Sequence, residues 1–148
     1  MAAPLILITT DFSAEAERAY APALELAQKL DARVTILHVV QDLVTIPRGA
    51  ALAPPQHEPD LSLRVDEAEK RLEEVVKQFK TGVQVEAIVR TAEHPAKEVA
   101  HFAESQKAAF IAMASHGRSG IRRVLMGSFA ETVLRHVITP VIIYPRPT

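Results

Sequence analysis

The chain predicts an α/β fold in which a five-stranded parallel sheet lies between helical layers, a three-layer sandwich formed by residues 1–148 as one domain. Three observations predict it. Five short runs of β-branched or continuously apolar residues recur along the 148 positions. Stretches with helical periodicity separate them. The runs are apolar enough to be covered on both faces, which is the pattern of parallel strands joined by right-handed helical crossovers.

The elements follow in order. Leu5–Thr9 (LILIT) is the first strand. Ala16, Ala19, Tyr20, Ala23, Leu24, Ala27 and Leu30 then share one helical face. Arg33–Val39 is the second strand. Residues 42–60 hold four of the chain's ten prolines without periodicity, so they form a surface loop, either a flap across a pocket or, more simply, a solvent loop. Leu61, Val65, Ala68, Leu72, Val76 and Phe79 make the next helical face. Val83–Val89 is the third strand, and its Gln84 and Glu86 at alternate positions wet one face, as at or near a sheet edge. Val99, Ala100 and Ala103 continue a helix after Pro95. Ala109–Ser115 is the fourth strand, Ala130, Val133, Leu134 and Val137 line the last helix, and Val141–Tyr144 closes the chain as a strand.

Composition excludes several functions. With 17 basic against 18 acidic residues, no net charge pulls on nucleic acid or anionic lipid. Without cysteine there is no disulfide framework, thiolate metal site or catalytic thiol, which fits a reducing compartment. The N-terminus lacks a basic leader, and no apolar run approaches the roughly 18 residues of a membrane span. The expectation is a cytoplasmic protein without membrane insertion.

In an open parallel sheet, ligands bind beyond the C-terminal strand ends, where the winding reverses. That rim would hold Thr9–Asp11, Val39–Val40, Arg90–Thr91 and Ser115–Gly117. Three of the five glycines, Gly117, Gly120 and Gly127, fall in one window between a strand and a helix. Two readings of this window stand side by side: a phosphate site on backbone N–H groups and a helix N-terminus, or a tight connection with Ser128 as N-cap. Arg118, Arg122 and Arg123 can pair with phosphate there or form a solvated basic loop. Asp11 can approach a ribose hydroxyl or a magnesium-bound water, or cap the helix that starts near Ser13, where Glu15 and Glu17 also suit a helix start.

Other candidates carry less. Neither a Walker A loop nor a dinucleotide fingerprint is present. Ser115 and His116 leave a strand as neighbours and should point apart, which argues against a nucleophile and its base. His38, inside an apolar strand, reads as a hydrogen-bonded core residue. The histidines show no metal-ligand spacing, and no catalytic residue or protein-held metal is assigned.

The residues Ile6–Ser13 (ILITTDFS), Leu37–Val39, His94–Val99 (HPAKEV), Ala112–Gly120 (AMASHGRSG), Gly127–Ser128 and Pro140–Tyr144 together resemble the universal stress protein family, over essentially the whole chain. The resemblance implies a Rossmann-like sandwich, commonly a homodimer paired through the final strand, here Val141–Tyr144. One branch of the family binds ATP through a motif Gly-x2-Gly-x9-Gly-Ser/Thr, and another lacks both motif and nucleotide. This chain carries Ala114 at the first glycine, then Gly117, nine residues from Arg118 to Met126, Gly127 and Ser128. The Ala114 methyl is tolerated at negative φ and obstructive in a left-handed backbone. Glu93 stands where relatives often carry glycine, and its carboxylate opposes phosphate if it points inward. By resemblance, Thr10 and Asp11 lie near ribose and phosphates, Val39 offers backbone contacts to adenine, and Met113 and Phe129 wall the site.

The resemblance thus implies a homodimer that binds ATP with magnesium through the phosphates and acts as a sensor or adaptor in stress response. The alternative is a nucleotide-free interaction protein working through its dimer surface. A dedicated enzyme has little support beyond slow ATP hydrolysis, because no base, lysine or arginine finger is identifiable.

Overall fold

The structure, a computed structural model, describes residues 2–43, 54, 60–116 and 126–146. The elements run β1 (Leu5–Thr9), α1 (Ala14–Glu17), α2 (Tyr20–Lys29), β2 (Arg33–Gln41), α3 (Leu61–Lys77), β3 (Val85–Ala92), α4 (Pro95–Ser105), β4 (Phe110–Ala114), α5 (Ser128–His136) and β5 (Val141–Tyr144). The strands pair in the order β3-β2-β1-β4-β5, all parallel. The chain winds outward from β1 through β2 to β3, then returns to the other side of β1 for β4 and β5. The winding therefore reverses between β1 and β4.

Strand alternation sorts the core into two layers. Ile6, Ile8, Val34, Ile36 and Ala112 pack with Tyr20, Ala23, Leu24 and Leu72 from α2 and α3 on one face. Leu7, Leu37, Ile111 and Met113 pack with Val99, Phe102, Ala130 and Val133 from α4 and α5 on the other. Removing these side chains from water on both faces is what allows β1 to be buried at every position.

The sequence reading is corrected in several places. The helical face from Ala16 to Leu30 belongs to two helices, and Pro22 explains the break. A proline at 22 has no N–H for the carbonyl of Arg18, so α1 closes with i−3 bonds, Arg18 N to Glu15 O at 3.3 Å and Ala19 N to Ala16 O at 3.1 Å. α2 then restarts with Pro22 in its first turn, where the missing donor costs nothing. Leu30 follows α2 and is exposed rather than buried, as is Leu134 of α5. β2 runs on to Gln41. β3 starts at Val85 and runs to Ala92, because pairing with β2 continues through the polar Arg90 and Thr91. β3 does take a sheet edge, and β5 takes the other. Of the surface loop expected at 42–60, all but Asp42, Leu43, Pro54 and Asp60 lies outside the described residues, and Asp42 is buried. Among the described residues no helix is long and apolar enough to cross a membrane.

Candidate functional site

A cleft of about 290 Å³ opens at the C-terminal ends of β1, β2 and β4, at the point where the winding reverses. Thr10, Asp11, Val39, Met113, Ala114, Gly127, Ser128 and Phe129 all line it. Gly117 and Arg118, with Gly120, Arg122 and Arg123, lie outside the described residues.

The β1 end turns sharply. Asp11 Oδ1 accepts from Ser13 N at 2.9 Å, and Ser13 Oγ accepts from Ala16 N at 3.1 Å. Ser13 is therefore the N-cap of α1, and the capping alternative for Asp11 is corrected: Asp11 forms the turn before the cap. Phe12 between them has φ 64°, the left-handed region that disfavours a bulky side chain. Its N–H donates to Thr10 Oγ1 at 3.0 Å, and Tyr20 Oη bonds the same Thr10 oxygen. The Thr10 hydroxyl is thus engaged in holding the turn, although Thr10 borders the cleft.

The β2 end contributes main chain. Parallel strands send their N–H and C=O groups to alternate neighbours on alternate residues. Odd residues of β2 turn toward β1, as Arg33 N to Pro4 O at 2.9 Å and Thr10 N to Leu37 O at 3.0 Å show. Even residues turn toward β3, as Val34 N to Gln84 O at 2.8 Å and Asp42 N to Ala92 O at 2.9 Å show. The β1 ladder stops at the pair Thr9 and Leu37. Val39 therefore directs one donor and one acceptor past the end of β1 into the cleft, unmatched by a backbone partner among the described residues.

The β4 and α5 ends face this pair. Ala114 is the last residue of β4, pairs with Tyr144, and is absent from the described non-glycine residues at positive φ, so its methyl sits on ordinary strand backbone. Gly127 N donates to Ser115 O at 2.6 Å. Gly127, not Ser128, is the N-cap of α5, which corrects the capping alternative for Ser128. Gly127 has φ −71° and ψ 159°, open to any residue, so its value lies in bareness: it brings no side chain of its own to cap the first-turn N–H groups of α5. Ser128 begins the helix, and its carbonyl accepts from Thr132 Oγ1 at 2.8 Å.

Other residues add to their sequence reading or depart from it. Ser115 Oγ lies 2.9 Å from His116 Nδ1, so these neighbours touch, because the strand has already ended at Ala114 and the alternation no longer holds. Glu93 is exposed beyond β3, with its carbonyl accepting from Gln41 Nε2 at 3.2 Å, and it does not line the cleft. His38 was missed as a site residue. It is half-buried, lines the cleft, and its Nδ1 lies 2.7 Å from Thr10 O. The signal was there: a lone imidazole in an apolar strand, one residue from the rim.

Among the described lining residues Asp11 is the acid, and lysine and arginine are absent. Main-chain N–H groups and the positive end of the α5 dipole are what the described lining offers an anion.

The model of the Universal stress protein family matches residues 5–145. Universal stress protein MJ0531 of Methanocaldococcus jannaschii is 32% identical over 142 residues, covering 96% of this chain and 82% of that protein. The solved structure of MJ0577 from the same organism superposes with a TM-score of 0.74 at 25% identity, covering 98% of this chain and 97% of the other. At 21% identity and a TM-score of 0.62, the fold is shared with the Archaeoglobus fulgidus universal stress protein in complex with dAMP, over 96% of this chain and 97% of that one. A universal stress protein in complex with cAMP shares it at 19% identity and a TM-score of 0.66, over 97% of this chain and 98% of that one.

Proposed function

The chain belongs to the universal stress protein family, and we propose that its rim cleft binds an adenine nucleotide, ATP with magnesium, in a homodimer that works as a stress sensor or adaptor in the cytoplasm. The observation that carries this reading is the Val39 main chain. Its N–H and C=O, side by side and past the end of β1, match the acceptor and donor on the Watson–Crick edge of adenine. Across the cleft, the bare N-terminus of α5 at Gly127 suits the phosphates. Asp11 between them suits a ribose hydroxyl or a magnesium-bound water. The magnesium would be carried by the phosphates.

Nucleotide complexes of structurally similar family members support the same reading. The two departures from the motif are compatible with it, since Ala114 lies on extended strand and Glu93 is exposed and not among the residues that line the cleft. The role read here is binding, carried by the main-chain groups of Val39 and the N-terminus of α5. For the homodimer, the support is the apolar edge strand Val141–Tyr144, with Leu134 and Ile138 exposed in the segment that leads into it. Edge-to-edge pairing of two β5 strands would cover that surface.

The test begins with mass spectrometry of small molecules released on denaturing freshly purified protein, followed by calorimetry of the ligand-free protein with Mg·ATP. Adenine nucleotide should be released, and Mg·ATP should bind. Gly127→Val should lose binding with its circular dichroism unchanged, because the added side chain occupies the mouth of the α5 terminus. An empty protein that gives no heat at millimolar Mg·ATP would sink the reading.

A further inference from the structure

The β1–β2 ladder ends one bond earlier than its geometry requires. After Thr10 N to Leu37 O at 3.0 Å, the next rung of a parallel ladder runs from Val39 N to Thr10 O. That rung is absent. The Thr10 carbonyl is met instead by His38 Nδ1 at 2.7 Å. A carbonyl oxygen only accepts, so Nδ1 carries the hydrogen and donates it.

The imidazole is held in place for this task. Its ring packs on Phe12 with centroids 4.5 Å apart and planes inclined at 39°, and the Arg71 guanidinium covers the Phe12 ring at 4.3 Å. Phe12 reaches this position through its left-handed turn, which Thr10 Oγ1 secures by accepting the Phe12 N–H. One side chain from β2, one from the β1–α1 turn and one from α3 thus converge to place a single N–H on a single carbonyl.

We infer that His38 is a positioning residue, which takes the carbonyl of Thr10, the residue just past β1, and so keeps the Val39 N–H unpaired and directed into the cleft. The role is distinct from ligand contact: His38 acts through Thr10 and Val39. Without the imidazole, the buried Thr10 carbonyl seeks the nearest donor, and the ladder supplies Val39 N–H. The nucleotide arm of this inference rests on the adenine reading of the cleft, whereas the ladder arm stands without any ligand.

The experiment measures amide hydrogen exchange by NMR on the ligand-free full chain, together with Mg·ATP affinity, for wild type and three variants. His38→Asn places an amide nitrogen where Nδ1 stands, His38→Gln carries it one bond too far, and His38→Leu removes the donor. In His38→Leu the Val39 amide should exchange about tenfold more slowly than in wild type, with Leu37 unchanged, and Mg·ATP should bind about tenfold more weakly. His38→Asn should keep both properties near wild type, and His38→Gln should not. Should His38→Leu fail to fold, the Asn and Gln variants decide between them. Val39 exchange that is equal in wild type and His38→Leu, or an Asn variant as impaired as Gln, overturns the inference. A wild type that does not bind Mg·ATP overturns the adenine reading instead, and Val39 exchange still decides the role of His38.

Discussion

Arg146 grips Glu15 with two nitrogens, Nη2 at 3.2 Å from Oε1 and Nε at 3.3 Å from Oε2, across 131 positions of sequence. Arg18 Nη1 meets the same carboxylate at 2.9 Å. The clamp joins the segment leaving β5 to α1, the helix whose Ala16 lines the cleft. Arg146→Ala should therefore lower stability by about 1 kcal/mol, since both partners are mostly shielded and the pairing is forked. For a chain of this length that is a fall of about 2–4 °C in Tm. Arg146→Lys should recover only part of it, because an ammonium cannot fork. Thermal denaturation at low and at high salt reads both effects, with the gap narrowing in salt; identical Tm values for wild type and Arg146→Ala would refute the clamp.

Asp31 and Lys107 carry φ of 50° and 52°, each just past the end of a helix. After α2, Ala32 N bonds Ala27 O at 2.8 Å and Asp31 N bonds Gln28 O at 3.3 Å. After α4, Ala108 N bonds Ala103 O at 2.8 Å and Lys107 N bonds Glu104 O at 3.1 Å. Both are left-handed C-terminal caps built without the glycine that suits them. Lys107→Gly should stabilise the protein by about 1 kcal/mol. Asp31→Gly should gain less, since aspartate tolerates this conformation better. Urea unfolding should show a higher midpoint at unchanged slope; a midpoint below wild type for Lys107→Gly would contradict the expectation.

Burial raises the phenol pKa of Tyr20 above its usual value, against the lowering effect of its Thr10 hydrogen bond. Burial, then the nearby Glu25 carboxylate, raises that of Tyr144. A raised native pKa means that the folded state holds these protons more tightly than the unfolded chain. The associated stability is present below the unfolded value near ~10 and is lost as pH rises through the native values. The chain has two tyrosines and no tryptophan, so absorbance near the tyrosinate band reports them directly. The native protein should titrate above the urea-unfolded protein, and stability should decline only in strong alkali. Coincident titration curves would refute the assignment.

Local pattern carried far along this chain. Leu5–Thr9 and Val141–Tyr144 were legible to the residue, because apolar β-branched runs bounded by turn residues have few other uses. The edge position of β3 was legible from Gln84 and Glu86, since alternate polarity means a wet face. Pro22 is equally readable: a proline four residues beyond Arg18 marks a helix boundary on covalent grounds alone. The rim residues Asp11 and Val39 could be named because strand ends in a parallel sheet share one side, and Gly127 because the glycines cluster between the fourth strand and the last helix.

By itself, the sequence determined the order of the strands, the parallel sense of the sheet, the family and several residues at the rim. The tertiary structure alone decided how those residues meet. Whether Ala114 obstructs depended on its backbone angle, whether Glu93 intrudes depended on the course of the β3–α4 connection, and contact between Ser115 and His116 depended on where β4 stops. The bond from His38 to Thr10 spans 28 positions, and its consequence for Val39 exists only where β1 ends beside a longer β2. Periodicity is a property of neighbours within one strand or helix. The length of a ladder, and the donor left over at its end, are properties of two strands at once.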